Sequence, residues 1–243
     1  MKRLVVLGSV LGVALALAPV AHASLVLQSL VPLSGTGLGT EPTILTIQSN
    51  GTTESGCVSF SNLGQTGFTS GSCTGSSADV KTGASQTSVQ PLSAIGSGGI
   101  SASNFSVIFN ADQPSGGPIQ LTSLNVAFFS PTGGFLYQTG PVSCTAVGLV
   151  NCAFASTING IGGAGYLFKL DSAQQTAATN AGAFNDQNNI VGLSASTSGA
   201  AGGPETFFLA RVGITAVPEP ATMLLLGAGL IGLAFAGKRR SSI

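Results

Sequence analysis

Tryptophan is absent from this chain, and histidine occurs once, at His22. Charge is scarce too: Asp, Glu, Lys and Arg make up 7% of the residues, against 44% hydrophobic. His22 sits in an N-terminal segment that reads as a leader, so the span behind it has no imidazole. That excludes Ser-His-Asp and Cys-His catalysis and every His-ligated metal centre. Between residues 24 and 216 the only basic residues are Lys81, Lys169 and Arg211. They stand beside seven acids, Glu41, Glu54, Asp79, Asp112, Asp171, Asp186 and Glu205, for a formal net charge of 3 − 7 = −4. Three cations cannot neutralise a phosphate backbone, so no nucleic-acid partner is expected. A glycosidase needs two facing carboxylates, and no spacing brings two of these acids together. Sugar subsites also favour flat aromatic rings, and only Tyr137 and Tyr166 add to the phenylalanines. The domain is therefore read as a non-enzyme with no catalytic residue, no metal and no cofactor.

Long apolar runs occur only at the two ends. Lys2-Arg3 precede an apolar stretch from Leu4 to Leu17, and Pro19 breaks it before Ala21-His22-Ala23. Small residues at Ala21 and Ala23 fit a signal-peptidase cleavage site, which makes residues 1–23 a signal peptide and Ser24 the mature N-terminus. The Sec translocon and signal peptidase are the partners this implies. At the other end Val217-Pro218-Glu219-Pro220 leads into an uncharged run from Ala221 to Ala236, followed by Lys238-Arg239-Arg240. As a helix that run would be roughly 24 Å long, a little short of the hydrocarbon core. Gly237 lengthens it, and the Lys238 and Arg239 stems can reach the headgroups, so a transmembrane helix is expected over 221–237. Pro220 suits its entrance, because proline has no N–H to donate there. The basic cluster Lys238, Arg239 and Arg240 orients that end toward the cytoplasm, leaving the preceding domain outside the inner membrane. Ala228, Gly232 and Ala236 line up as a small-residue stripe suited to helix contact.

The order Pro-Glu-Pro, apolar helix, basic cluster, set at a C-terminus behind a secretory signal, resembles the PEP-CTERM sorting signal of Gram-negative bacteria. Val217, Pro218, Glu219 and Pro220 match the motif residue by residue, while the helix and Lys238-Arg239-Arg240 match by character. The resemblance covers residues 217–243 and implies a route. The chain would be exported through Sec and held in the inner membrane facing the periplasm. An exosortase, a membrane-embedded cysteine transpeptidase-like enzyme, would then process it near Pro-Glu-Pro. The product would reach the outer cell surface or extracellular matrix, in association with exopolysaccharide or biofilm. Two roles for the delivered domain fit: a non-enzymatic surface or matrix protein, or a surface module that binds glycan or calcium.

Residues 24–216 make one exported domain, large enough to bury a core. Its four cysteines, Cys57, Cys73, Cys144 and Cys152, allow three pairings in an oxidising compartment. Cys57–Cys73 with Cys144–Cys152 is the simplest, since each pair brackets a short segment. Spacings of fifteen and seven intervening residues are unlike those of a zinc site.

Short strand-like runs alternate with Gly, Ser, Thr, Asn and Pro clusters. They cover 25–30, 43–48, 57–60, 105–110, 121–130, 135–138, 153–158, 166–170, 190–196 and 206–214. Leu124, Val126 and Phe128 form one apolar face; Phe208, Ala210, Val212 and Ile214 form another. The pattern predicts a mainly β domain, an antiparallel β-sandwich of jelly-roll type. One short helix is expected to cross an end of the sandwich. It would be capped at Asp171 or Ser172, with a glutamine three residues on, and stopped by Gly182. The Gly/Ser-rich stretch from Gly64 to Gly99 is long enough to be partly disordered. Gly160-Ile161-Gly162-Gly163-Ala164-Gly165 matches G-x-G-x-x-G. The strand pattern behind it makes it a hairpin loop rather than a dinucleotide site. Asn50-Gly51 reads as a turn. The oxygen-rich cluster Asn185-Asp186-Gln187-Asn188-Asn189 is read as a polar turn, because it lacks the repeated acids of a calcium loop.

Overall fold

The computed structural model describes residues 24–29, 33–34, 41–60, 62–63, 79–83, 85–96, 98–111, 118–149, 151–154, 164–201 and 203–212. The expected signal peptide over 1–23 and the expected transmembrane helix over 221–237 lie outside them. Among the described residues no helix is long and apolar enough to cross a membrane. The chain divides into two units between Val212 and Gly213.

The described residues are mainly β, in two seven-stranded sheets. Numbered along the chain, the first sheet runs β10 (Val142–Ser143), β1 (Leu25–Leu27), β12 (Ala164–Leu170), β7 (Phe105–Asn110), β14 (Glu205–Arg211), β3 (Thr43–Ile47). Strand β2 (Leu33–Ser34) also pairs with β12. The second runs β11 (Ala153–Phe154), β8 (Ile119–Phe129), β13 (Ile190–Ser198), β4 (Thr53–Ser59), β5 (Asn62–Leu63). Strand β6 (Gln90–Pro91) adds to β13, and β9 (Phe135–Gln138) adds to β8. Pairing is antiparallel except between β1 and β10, which run parallel, a departure from the all-antiparallel expectation.

The sheets face each other across a core of alternating side chains. Phe105, Val107 and Phe109 of β7 meet Leu124, Val126 and Phe128 of β8, all buried in one cluster. Ring pairs cross the interface: Phe105 to Phe128 at 5.2 Å and Phe109 to Phe154 at 5.9 Å. Each such side chain contributes on the order of 1.5–3 kcal/mol by leaving water. The sheets also approach closely at Gly56 on β4. A Cβ there would stand 2.5 Å from Val80 and 2.8 Å from Ile47.

On strand β14, Phe208 and Ala210 share an apolar face as expected, and it is the outer one, where they cluster with Ile108 and Leu167. Phe207 and Leu209 fill the core instead. Both parities of Phe207-Phe208-Leu209-Ala210 are apolar, so period two alone could not choose between them. Ile214 lies outside the described residues.

In the Gly64–Gly99 stretch, residues 79–83, 85–96 and 98–99 are described and packed on the sheets; residues 64–78 lie outside the described set. Val80, Leu92 and Ile95 anchor this described part in the core. Its backbone runs beside β3: the Lys81 N–H donates to the Thr46 carbonyl at 2.9 Å, and the Ser88 N–H to Ile44 at 3.2 Å. A few apolar anchors plus a free sheet edge outweighed the Gly/Ser composition.

The helix forms as α1 (Ser172–Asn180), with Asp171 as N-cap accepting the Gln174 N–H at 2.8 Å. Gly182 follows at φ +79°, where a left-handed residue is needed. The Ala183 N–H returns to the Ala178 carbonyl and the Gly182 N–H to Thr179, both at 3.0 Å, closing the helix end. The helix links β12 of the first sheet to β13 of the second, as expected of an end crossing. Asn50-Gly51 lies in a turn, but one that joins strands of different sheets rather than a hairpin pair.

Candidate functional site

Both ends of the domain emerge from the first sheet. Strand β14, between β7 and β3, brings the chain out at Arg211; the Val212 N–H then donates to the Asn104 carbonyl at 2.9 Å. Five residues, Gly213 to Val217, separate that point from Pro218. The sorting residues Val217, Pro218, Glu219 and Pro220 and the basic Lys238, Arg239 and Arg240 lie outside the described residues. So do Ala21 and Ala23. Ser24 is the first described residue and is buried. Its N–H donates to Asp171 Oδ2, and its carbonyl accepts the Asp171 N–H at 3.1 Å. The Asp171 carboxylate thus holds the start of β1 and the start of α1 together. Tyr137 on β9 senses it: burial, and then the Asp171 charge, push the phenol above its usual value.

Cys144 and Cys152 are joined, with Cα atoms 5.3 Å apart. Cys144 follows edge strand β10 of the first sheet and Cys152 precedes edge strand β11 of the second. The bond therefore staples the two sheets along one side. Cys57 is disulfide-bonded as well; Cys73 lies outside the described residues.

The side chains of Asp186, Gln187, Asn188 and Asn189 in the 185–189 turn are engaged within the protein. Asp186 Oδ1 accepts from the Asn188 N–H at 2.8 Å. Gln187 clamps both main-chain groups of Ile100, at 2.7 and 2.9 Å. Asn189 Nδ2 donates to the carbonyls of Gly182 and Ala183, each at 3.1 Å. The turn is a clamp between α1, the 3₁₀ turn Leu92–Ala94 and the start of β13. Among the described residues no group of three His, Cys, Asp or Glu could hold a metal ion. The last part of the G-x-G-x-x-G match, Ala164 and Gly165, opens strand β12 rather than a helix. A Cβ on Gly165 would lie 2.3 Å from Ile108, so this glycine serves close packing.

A family model of the PEP-CTERM protein-sorting motif matches residues 216–240. This chain carries a PEP-CTERM sorting signal. It is accordingly an exported, exosortase-sorted protein, with an exosortase as its processing partner. No curated protein and no solved structure matches the chain.

One feature of the domain that precedes the sorting signal escaped sequence reasoning. Phe135 is 51% exposed and Phe60 36%, the only large hydrophobic residues so exposed among the described residues. The buried ring of Phe129 lies between them, 6.5 Å from Phe60 and 6.0 Å from Phe135. Phe128 faces the core, so Phe129 points to the outer face of the second sheet. Gly192 makes room for it: a Cβ there would be 3.2 Å from the Phe129 ring and 2.7 Å from the Val58 carbonyl. Gly133, at φ +90°, lets the Phe60 ring lie against the β8–β9 turn. The available signal was an aromatic on the polar-parity side of β8 beside a glycine on the neighbouring strand. Without the register it could not be used.

Proposed function

We propose that this is a non-enzymatic protein of the cell surface or extracellular matrix, delivered by Sec and cut by signal peptidase before Ser24. The tail helix then holds it in the inner membrane until an exosortase acts at Pro218-Glu219-Pro220. Its final association is with exopolysaccharide or biofilm. The observation that carries this reading is the sorting match at 216–240, beginning a few residues beyond a folded β domain. A domain without imidazole supports a structural rather than catalytic role. Two prolines keep the motif extended and poor in N–H donors, and Glu219 supplies a charge for a receptor to pair with.

Glu219→Ala tests this against a variant whose helix is replaced by an unrelated apolar span of equal length. The first should accumulate uncleaved in the inner membrane, and the second should still be processed. The opposite pattern would place recognition in the helix and sink the motif reading.

The aromatic trio on the second sheet favours a second reading, a glycan-binding surface module. Aromatic faces can receive the C–H faces of sugars, and here rigid packing positions them. Phe60→Ala with Phe135→Ala should lower retention on purified exopolysaccharide at least about tenfold, which is about 1.4 kcal/mol. Unchanged retention with an unchanged fold would reject this role.

A further inference from the structure

Ser24 is the residue that cleavage after Ala23 leaves at the N-terminus, and it is also the first described residue. Leu25, wholly buried, opens β1 one position later. Ser24 is 7% exposed, and both of its main-chain groups bond to Asp171, 147 residues away. Before cleavage its nitrogen is a neutral amide with one hydrogen. Hydrolysis of the Ala23–Ser24 bond consumes one water and leaves a carboxylate on Ala23 and an amino group on Ser24. That amino group takes up a proton at neutral pH, since its ordinary pKa is about 8. The nitrogen facing Asp171 then carries a full charge and three hydrogens. We infer that removal of the leader locks β1 into the sheet by converting this neutral hydrogen bond into an ion pair between the Ser24 α-ammonium and the Asp171 carboxylate. The inference rests on the reading that the leader is cut after Ala23.

The other titratable groups on the surrounding elements are few. Lys169 pairs with Val26, which by alternation shares its sheet face with Ser24, but it is a cation; Tyr137 lies on β9, and β10 contributes only Val142 and Ser143. Asp171 is therefore the anion the new charge meets.

The test uses the mature chain, Ser24 to Ile243, in detergent, made in two ways: through its own leader, and from a fusion whose protease leaves Ser24 first. N-terminal sequencing of the first product should return Ser24; another residue there would overturn the link to leader removal. The second product tests docking whatever that result. Its α-amino group, followed by pH-dependent reductive methylation with labelled formaldehyde, should titrate about one unit or more above its ordinary value. One glycine added before Ser24 should lower the thermal midpoint by about 3–5 °C. Both effects should vanish in Asp171→Asn, which removes the charge but keeps the helix cap. Because the folded pKa is raised, the added stability should be present below about pH 8 and lost as pH rises through the raised value. An α-amino group with its ordinary pKa, or a glycine-extended chain as stable as the mature one, would overturn the ion pair.

Discussion

Replacing Cys144 and Cys152 together by alanine removes the staple between the two sheets and leaves the bond at Cys57 intact. The two cysteines are eight positions apart, and the chain-entropy relation for a loop of that length gives about 2.5 kcal/mol at 25 °C. Both cysteines are buried, so losing their sulfurs adds on the order of 1 kcal/mol of packing. The expected loss is about 3–4 kcal/mol, or a fall in thermal midpoint of roughly 6–15 °C for a domain of this size. Urea unfolding of the mature chain under non-reducing conditions measures it. The midpoint should fall and the slope m should rise, because the opened chain exposes more surface when unfolded. A loss under about 1 kcal/mol would refute the loop-closure reasoning. The full loss with no change in m would place the stabilisation in native packing between β10 and β11 instead.

Two further outcomes are open to measurement. Gly192→Ala forces a methyl against the Val58 carbonyl and the Phe129 ring, so it should cost about 1–3 kcal/mol in urea unfolding; a neutral result would mean that β13 can shift freely. Burial raises the pKa of both Tyr137 and Tyr166, and with no tryptophan to interfere, ultraviolet titration should show both phenols ionising above 10. Raised folded values mean that this contribution to stability is present below pH 10 and lost as pH climbs through them, so an ordinary midpoint near 10 would contradict their burial.

Several elements were legible because their signals are local. Strands β7 and β9 lie over Phe105–Asn110 and Phe135–Gln138, where apolar and aromatic runs end at turn residues. Asp171 and Gly182 bound the helix because a cap and a left-handed stop are chemical properties of those residues. The two-residue strands β2, β5, β6 and β10 were not legible, since two residues carry no period. Composition across residues 64–99 gave partial disorder without marking residues 79–96 as the part that packs. Their order comes from a vacant edge on β3 and from core space for Leu92 and Ile95, which only the assembled sheets provide.

By itself the sequence determined the sorting signal, the β class and the position of the one described helix. Each of these resides in a contiguous stretch or in composition, and needs no partner from elsewhere in the chain. Tertiary structure alone decided which face of β14 is the core, because both of its faces are apolar and only the pairing with β7 and β3 selects one. It alone brought Phe60, Phe129 and Phe135 together over the gap at Gly192, since strand register sets those distances. It alone set Ser24 against Asp171. That contact spans 147 residues and exists because β1 pairs with β12, whose end is the cap of α1.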